Sequence, residues 1–133
     1  MCRIRKLNFN LCCNAVLLLG SLSLLFHFFI LLQIIPFSIV WGGRLHKLSE
    51  MYMFEAVSVF INLLMLSVVA VKAKYVNINF GGRLVNALLF LFSGFFILNT
   101  IGNLASNSSI EAILFTPITV ILSVLFYRIG IEK

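Results

Sequence analysis

Charge is what this sequence has little of. Of its 133 residues only 11% are Asp, Glu, Lys or Arg, and the acids number four. Soluble domains carry about a quarter charged residues. With 62% hydrophobic residues and a mean hydropathy of +1.12, a water-soluble globule would expose apolar patches large enough to aggregate. Intrinsic disorder is excluded by the same excess, because it requires low hydrophobicity. Histidine is scarce, and the cysteines Cys2, Cys12 and Cys13 form no Cys-x-x-Cys pair. Dithiol redox chemistry and structural zinc therefore lack their ligand spacing. Few acids, little histidine and no nucleophile–base spacing leave no enzyme constellation. The expectation is a non-enzyme with no catalytic, cofactor or metal residue. A phosphate loop is absent, because no Gly-x-x-x-x-Gly-Lys-Ser/Thr occurs.

What the sequence does have is long apolar runs. A helix needs about 20 apolar residues to cross the hydrocarbon core. Four stretches qualify, at approximately 13–35, 51–71, 84–104 and 111–127. They are apolar all round, whereas strands of a membrane barrel alternate at period two. No Pro/Ser linker or low-complexity tract marks a second domain, so 1–133 reads as a single transmembrane domain. The links between runs are short, which makes sequential helices antiparallel neighbours. The predicted fold is all-α: a four-helix transmembrane bundle, up-down-up-down. The first run follows Arg3, Arg5 and Lys6 but far exceeds a signal-peptide core, and no small-x-small site follows it. It reads as a retained helix that Pro36 ends or bends. The apolar piece from Phe37 to Trp41 then lies at the interface, with Trp41 at headgroup level.

The cations set the orientation. Arg3, Arg5, Lys6, Lys72, Lys74, Arg83, Arg128 and Lys133 fall on one side; Arg44 and Lys47 fall on the other. Positive loops stay cytoplasmic, so both termini are expected there (N-in/C-in). The net charge of +6 sits in small groups at span ends, as topology setting and attraction to anionic lipid heads require. It is not gathered on one face, as nucleic-acid binding would require. Cys12 and Cys13 near the membrane face are either small apolar fillers or acylation sites. Asn107-Ser108-Ser109 fits a glycosylation sequon.

Polar residues inside spans are the candidate site. An ionisable side chain there costs about 2.5–3.5 kcal/mol on insertion scales. Glu55 is the acid lying inside a run rather than at its edge, roughly 6 Å below the outer boundary at 1.5 Å per residue. Ser58 and Asn62 follow on its helix face. Arg44 or Lys47 is its expected partner. Asn99 and Asn103, with Thr100, lie at the depth of Glu55 on the third span. Gln33 on the first span and Thr116-Pro117 on the fourth lie at similar depth. The expectation is a polar cluster in the outer half of the bundle: Gln33, Arg44, Glu55, Asn62, Asn99, Asn103 and Thr116. It reads as interhelical hydrogen-bond glue, as a site that binds or passes a small solute or ion, or as an interface for a partner. His27 is placed below Glu55 with no acidic neighbour and is expected to be packed and neutral. Asn86 and Ser93 read as packing residues, and Gly94 and Gly102 as surfaces for close helix approach without a strict Gly-x-x-x-Gly pair. Gly42-Gly43-Arg44-Leu45 recurs as Gly81-Gly82-Arg83-Leu84, which fits shared turn chemistry or a duplicated hairpin.

Trp41-Gly42-Gly43-Arg44-Leu45, Met51 to Glu55, and Leu98-Asn99-Thr100-Ile101-Gly102-Asn103-Leu104 together resemble a set of small four-span bacterial proteins without an assigned activity. The resemblance implies a bacterial inner (plasma) membrane and no reaction. Leu89-Phe90-Leu91-Phe92-Ser93-Gly94 is also similar to a segment of DoxX-like four-span proteins. Small multidrug exporters place their membrane Glu in the first helix, where this chain has none, and the paired-Phe segment of fluoride channels is missing. The functional expectation is a small multi-pass membrane protein that binds or passes a solute or ion. The alternative is an accessory or structural subunit of a larger membrane complex. The expected partners are the lipid bilayer and either further copies of the chain or a larger membrane protein, with no nucleic acid.

Overall fold

A computed structural model describes residues 4–78 and 80–132. Every regular element among them is helical. Helix α1 spans Phe9–Leu31, α2 Leu48–Lys72, α3 Gly82–Leu104 and α4 Thr116–Gly130, the last preceded by a π turn at Glu111–Phe115. With that turn included, all four are long and apolar enough to span a membrane. The chain is therefore a multi-pass membrane protein by the length and composition of its helices. The outward faces agree: Leu11, Phe60, Leu98 and Ile113 are each more than 60% exposed, a surface suited to acyl chains rather than water. Arg3, Cys2 and Lys133 lie outside the described residues.

Local chemistry sets the helix ends. Asn8 caps α1, its side-chain oxygen accepting the Leu11 N–H at 3.1 Å, three residues on as an N-cap requires. The helix starts four residues before the sequence boundary and stops four before its far end. It stops because Gln33 turns left-handed, at φ 56°, ahead of the proline. Pro36 then opens a short 3-10 turn at Phe37–Ile39. Glu50 in the first turn of α2 and Lys72 in its last complement the helix dipole. Pro117 lacks an N–H, so the preceding turn rewinds: the Thr116 N–H bonds the Glu111 carbonyl five residues back.

Side-chain bonds fix the neighbours. Along α1 and α2, His27 meets Glu55, Ser23 meets Asn62 and Asn14 meets Tyr75. Numbers rise on one helix as they fall on the other. Between α3 and α4, the hydroxyls of Ser93 and Ser123 each donate to the other's carbonyl, at 2.9 and 3.0 Å. Thr100 donates to Thr119 at 2.9 Å. The main core lies toward one end, around Val16, Met65, Val69, Leu89, Phe92 and Phe126. Phe96 stacks on Phe126 at 5.5 Å and 11°. Cys12 and Cys13 are buried in this core, the filler placement. Close helix approach occurs at Gly20, where an added Cβ would sit 2.7 Å from Leu66 Cδ2 and 2.8 Å from Met65 Cε. Gly94 and Gly102, expected in that role, face open space. A second, smaller core of Ile30, Val40, Leu45 and Met51 closes the other end.

Candidate functional site

That second core supports the most unusual chemistry in the chain. Glu55 is completely buried. His27 Nδ1 lies 2.6 Å from its Oε2, and the Trp41 indole N–H donates to its Oε1 at 2.9 Å. The expected partners, Arg44 and Lys47, do not reach it. His27, expected to lack an acidic neighbour, has one. The shifted helix ends explain both differences. Because α2 begins at Leu48, Glu55 is seven residues inside it, about 10 Å deep at 1.5 Å per residue. Because α1 stops at Leu31, His27 is four residues from its end, about 6 Å deep. His27 is thus no longer the deeper of the two, and the remaining offset of about 4 Å along the axis is spanned by the side chains, which meet at 2.6 Å.

The connection between α1 and α2 does not simply leave the bundle. Val40 and Leu45 are buried on either side of a tight turn. Within it Trp41, Gly42 and Gly43 all take positive φ, at 57°, 71° and 67°. A tryptophan in the left-handed region costs about 1–2 kcal/mol, so something must hold it. The indole is fixed by Glu55 and by Phe54, whose ring centroid lies 4.8 Å away. The next residue is held by a second buried acid: the Gly42 N–H donates to Glu111 Oε2 at 2.8 Å. The Ser106 hydroxyl donates to the same oxygen, and Ser108 ties the turn further through the Ile39 carbonyl at 2.7 Å. Consecutive residues of one loop are thus gripped by carboxylates from α2 and from the π turn before α4.

The other sequence candidates are dispersed. Gln33 is exposed and donates to the Tyr52 hydroxyl at 3.0 Å. Arg44 is exposed, its side chain lying over Gly42. Asn62 is buried and donates to Ser23 at 3.0 Å, leaving its Oδ1 without a partner. Asn103 donates to Thr119 at 3.4 Å, and Thr116 donates to the Glu111 carbonyl at 3.5 Å. Asn99 is half-buried without a hydrogen bond among the described residues. No side-chain hydrogen bond joins any two of the seven. Asn86, read as a packing residue, accepts from the Lys72 ammonium at 2.7 Å. Sequence reasoning missed His27, Trp41 and Glu111 as site residues. The available signals were Trp-Gly-Gly, a composition suited to a left-handed turn, and Pro117, which dictates an irregular turn beside Glu111.

Chemically, the Glu55–His27 pair shares one proton. It sits on Nδ1, which donates to the carboxylate, or on Oε2, which donates to the imidazole. His27 is 20% exposed, and its Nε2 has no hydrogen bond among the described residues. An imidazole can in general take a proton at one nitrogen and release one from the other, which is the relay use of an intramembrane histidine. Among the described residues no three His, Cys, Asp or Glu side chains converge on a metal position. No family model matches the chain, and no curated protein or solved structure is similar to it.

Proposed function

We propose that this chain is a non-enzymatic, four-span protein of a bacterial inner membrane, up-down-up-down with both termini cytoplasmic, that binds and exchanges protons at Glu55 and His27. The expectation of a small solute or ion narrows to a proton, taken up from the outer side. The paired helix contacts support the topology, and the distribution of cations supports the sidedness. One observation carries the function: a fully buried carboxylate 2.6 Å from an imidazole on the neighbouring helix. An acid in a span is costly unless paired, and a neutral amide would serve as helix glue at less cost. Here a titratable partner stands where glue needs none.

The test follows the carboxyl band of the purified chain in detergent by infrared difference spectroscopy as the pH is varied. The wild type is expected to show a pH-responsive component from a buried carboxyl. Glu55→Gln keeps shape and the Trp41 bond and is expected to lose that component. An unchanged pH response in Glu55→Gln with an intact fold overturns the reading. A second reading, as a subunit of a larger membrane assembly, rests on Asn99. An amide at a span surface without a hydrogen bond is a natural donor to another helix, where such bonds contribute about 0.6–2 kcal/mol. Co-purification of a stoichiometric membrane partner that is lost with Asn99→Leu supports it.

A further inference from the structure

At the end of the bundle remote from Glu55, the start of α1, the end of α2, the start of α3 and the connection after Lys72 enclose an open groove of about 870 Å³. Its polar lining includes Asn10, Lys72, Lys74, Asn77 and the acid Glu132. A second groove of about 520 Å³ continues from it along the first two helices, past Leu17, Leu66 and Ala70. Val76, Ile78 and Phe80 line both. Each of the three is exposed. The two compartments thus adjoin along these side chains, one carrying ammonium groups and amides, the other mostly apolar and flanked by the first two helices. Each lies within about 300–1,000 Å³, the size of a small-molecule site.

Charge decides the occupant. Lys72 donates to two uncharged oxygens, Asn86 Oδ1 at 2.7 Å and the Glu132 carbonyl at 2.6 Å. The nearby Glu132 carboxylate is taken by Arg128 at 2.7 Å. Neither Lys72 nor Lys74 has a carboxylate partner among the described residues. Lys74 also stands at φ 60° just after the α2 C-terminus, where glycine is the unstrained residue. Because the acid that lines the groove, Glu132, is ion-paired with Arg128, the two lysines leave the groove net positive, which matches a ligand with an anionic head and a hydrocarbon tail. We propose that this double groove is a binding site for one anionic phospholipid, its phosphate at Lys72 and Lys74 and an acyl chain against Leu17, Leu66 and Ala70. The proposal requires a membrane but neither a sidedness nor any role for Glu55.

The full chain, purified in mild detergent, is titrated with phosphatidylglycerol or phosphatidylcholine, and bound lipid is read by native mass spectrometry. Phosphatidylglycerol is expected to bind at one site and phosphatidylcholine more weakly. Lys74→Gly removes a charge while relieving the left-handed strain. It should weaken phosphatidylglycerol binding about fivefold, the electrostatic contribution of one interfacial lysine, with thermal stability held or raised. Lys74→Arg should bind as the wild type does. Ala70→Phe, which fills the apolar groove and keeps both cations, should weaken binding too. Glycerol phosphate should not displace the lipid; displacement would show a phosphate site without a tail groove and overturn the proposal. Equal binding of both lipids, unchanged binding in Lys74→Gly, or a lipid-free dimer sealing the groove with a second copy would each overturn it.

Discussion

If Glu55 holds the Trp41 loop as a charged acceptor, the two side chains are energetically coupled, and the coupling is measurable. Trp41→Phe keeps a ring against Phe54 but removes the N–H that donates to Glu55 Oε1 at 2.9 Å. A hydrogen bond to an ionised group contributes about 1.5–3 kcal/mol and a neutral one about 0.5–1.5. Trp41 is 37% exposed, which favours the lower end, so the substitution should cost about 1.5–2 kcal/mol. Glu55→Gln leaves an amide oxygen that still accepts from the indole. In that background Trp41→Phe should cost only about 0.5–1 kcal/mol. The coupling energy is then about 1 kcal/mol, well above the roughly 0.3–0.5 kcal/mol within which independent sites add. Phenylalanine keeps the left-handed strain of position 41 in every variant, so that strain cancels from the cycle. Unfolding of the four proteins in detergent, followed by far-ultraviolet circular dichroism, supplies the energies. A coupling indistinguishable from zero would refute the premise that an ionised Glu55 anchors the loop.

The glycines should divide by conformation and space. Gly42→Ala places a side chain at φ 71° and should cost about 1–2 kcal/mol, whereas Gly94→Ala, in open space on a helix, should be neutral or stabilising by up to about 1 kcal/mol; melting temperatures in one detergent compare the two. Pro117→Ala restores an N–H within the fourth span and should let the π turn relax toward α geometry, carrying Glu111 off the Gly42 amide. Hydrogen-exchange protection of the Gly42 N–H should then fall, while that of the Ser93–Ser123 region holds.

The helices were legible because their determinants are local and strong. About 20 apolar residues in a row admit few structures other than a span, and the four runs appear as four helices. Their ends were less legible, because a cap such as Asn8 or a left-handed Gln33 depends on one side chain or one dihedral angle. That small error mattered. Misplacing the ends of α1 and α2 by three or four residues separated His27 from Glu55 on paper and joined Glu55 to Arg44. Glu111 was discounted as an edge residue, because nothing in its immediate neighbours shows that Ser106 and the Gly42 backbone fold back onto it. Contacts between residues 69 apart, such as Gly42 and Glu111, depend on how the helices pack, which no local pattern encodes.

The two ends of the molecule divide its polar chemistry in a way that follows from its small supply of charge. At one end, two of the four acids are buried and spend their acceptors on consecutive residues of a single loop. That loop is short, left-handed at three successive positions and strained at Trp41, and anchored by Val40 and Leu45. Its conformation therefore depends on the hydrogen bonds that Glu55 and Glu111 accept from it. At the other end, Arg128 pairs with the local acid, Glu132, and among the described residues Lys72 and Lys74 have no carboxylate within ion-pair distance. A chain with so few ionisable groups could have placed them all in water at the membrane surface. Burying Glu55 and Glu111 instead commits both acids to holding the 40–45 turn against the bundle.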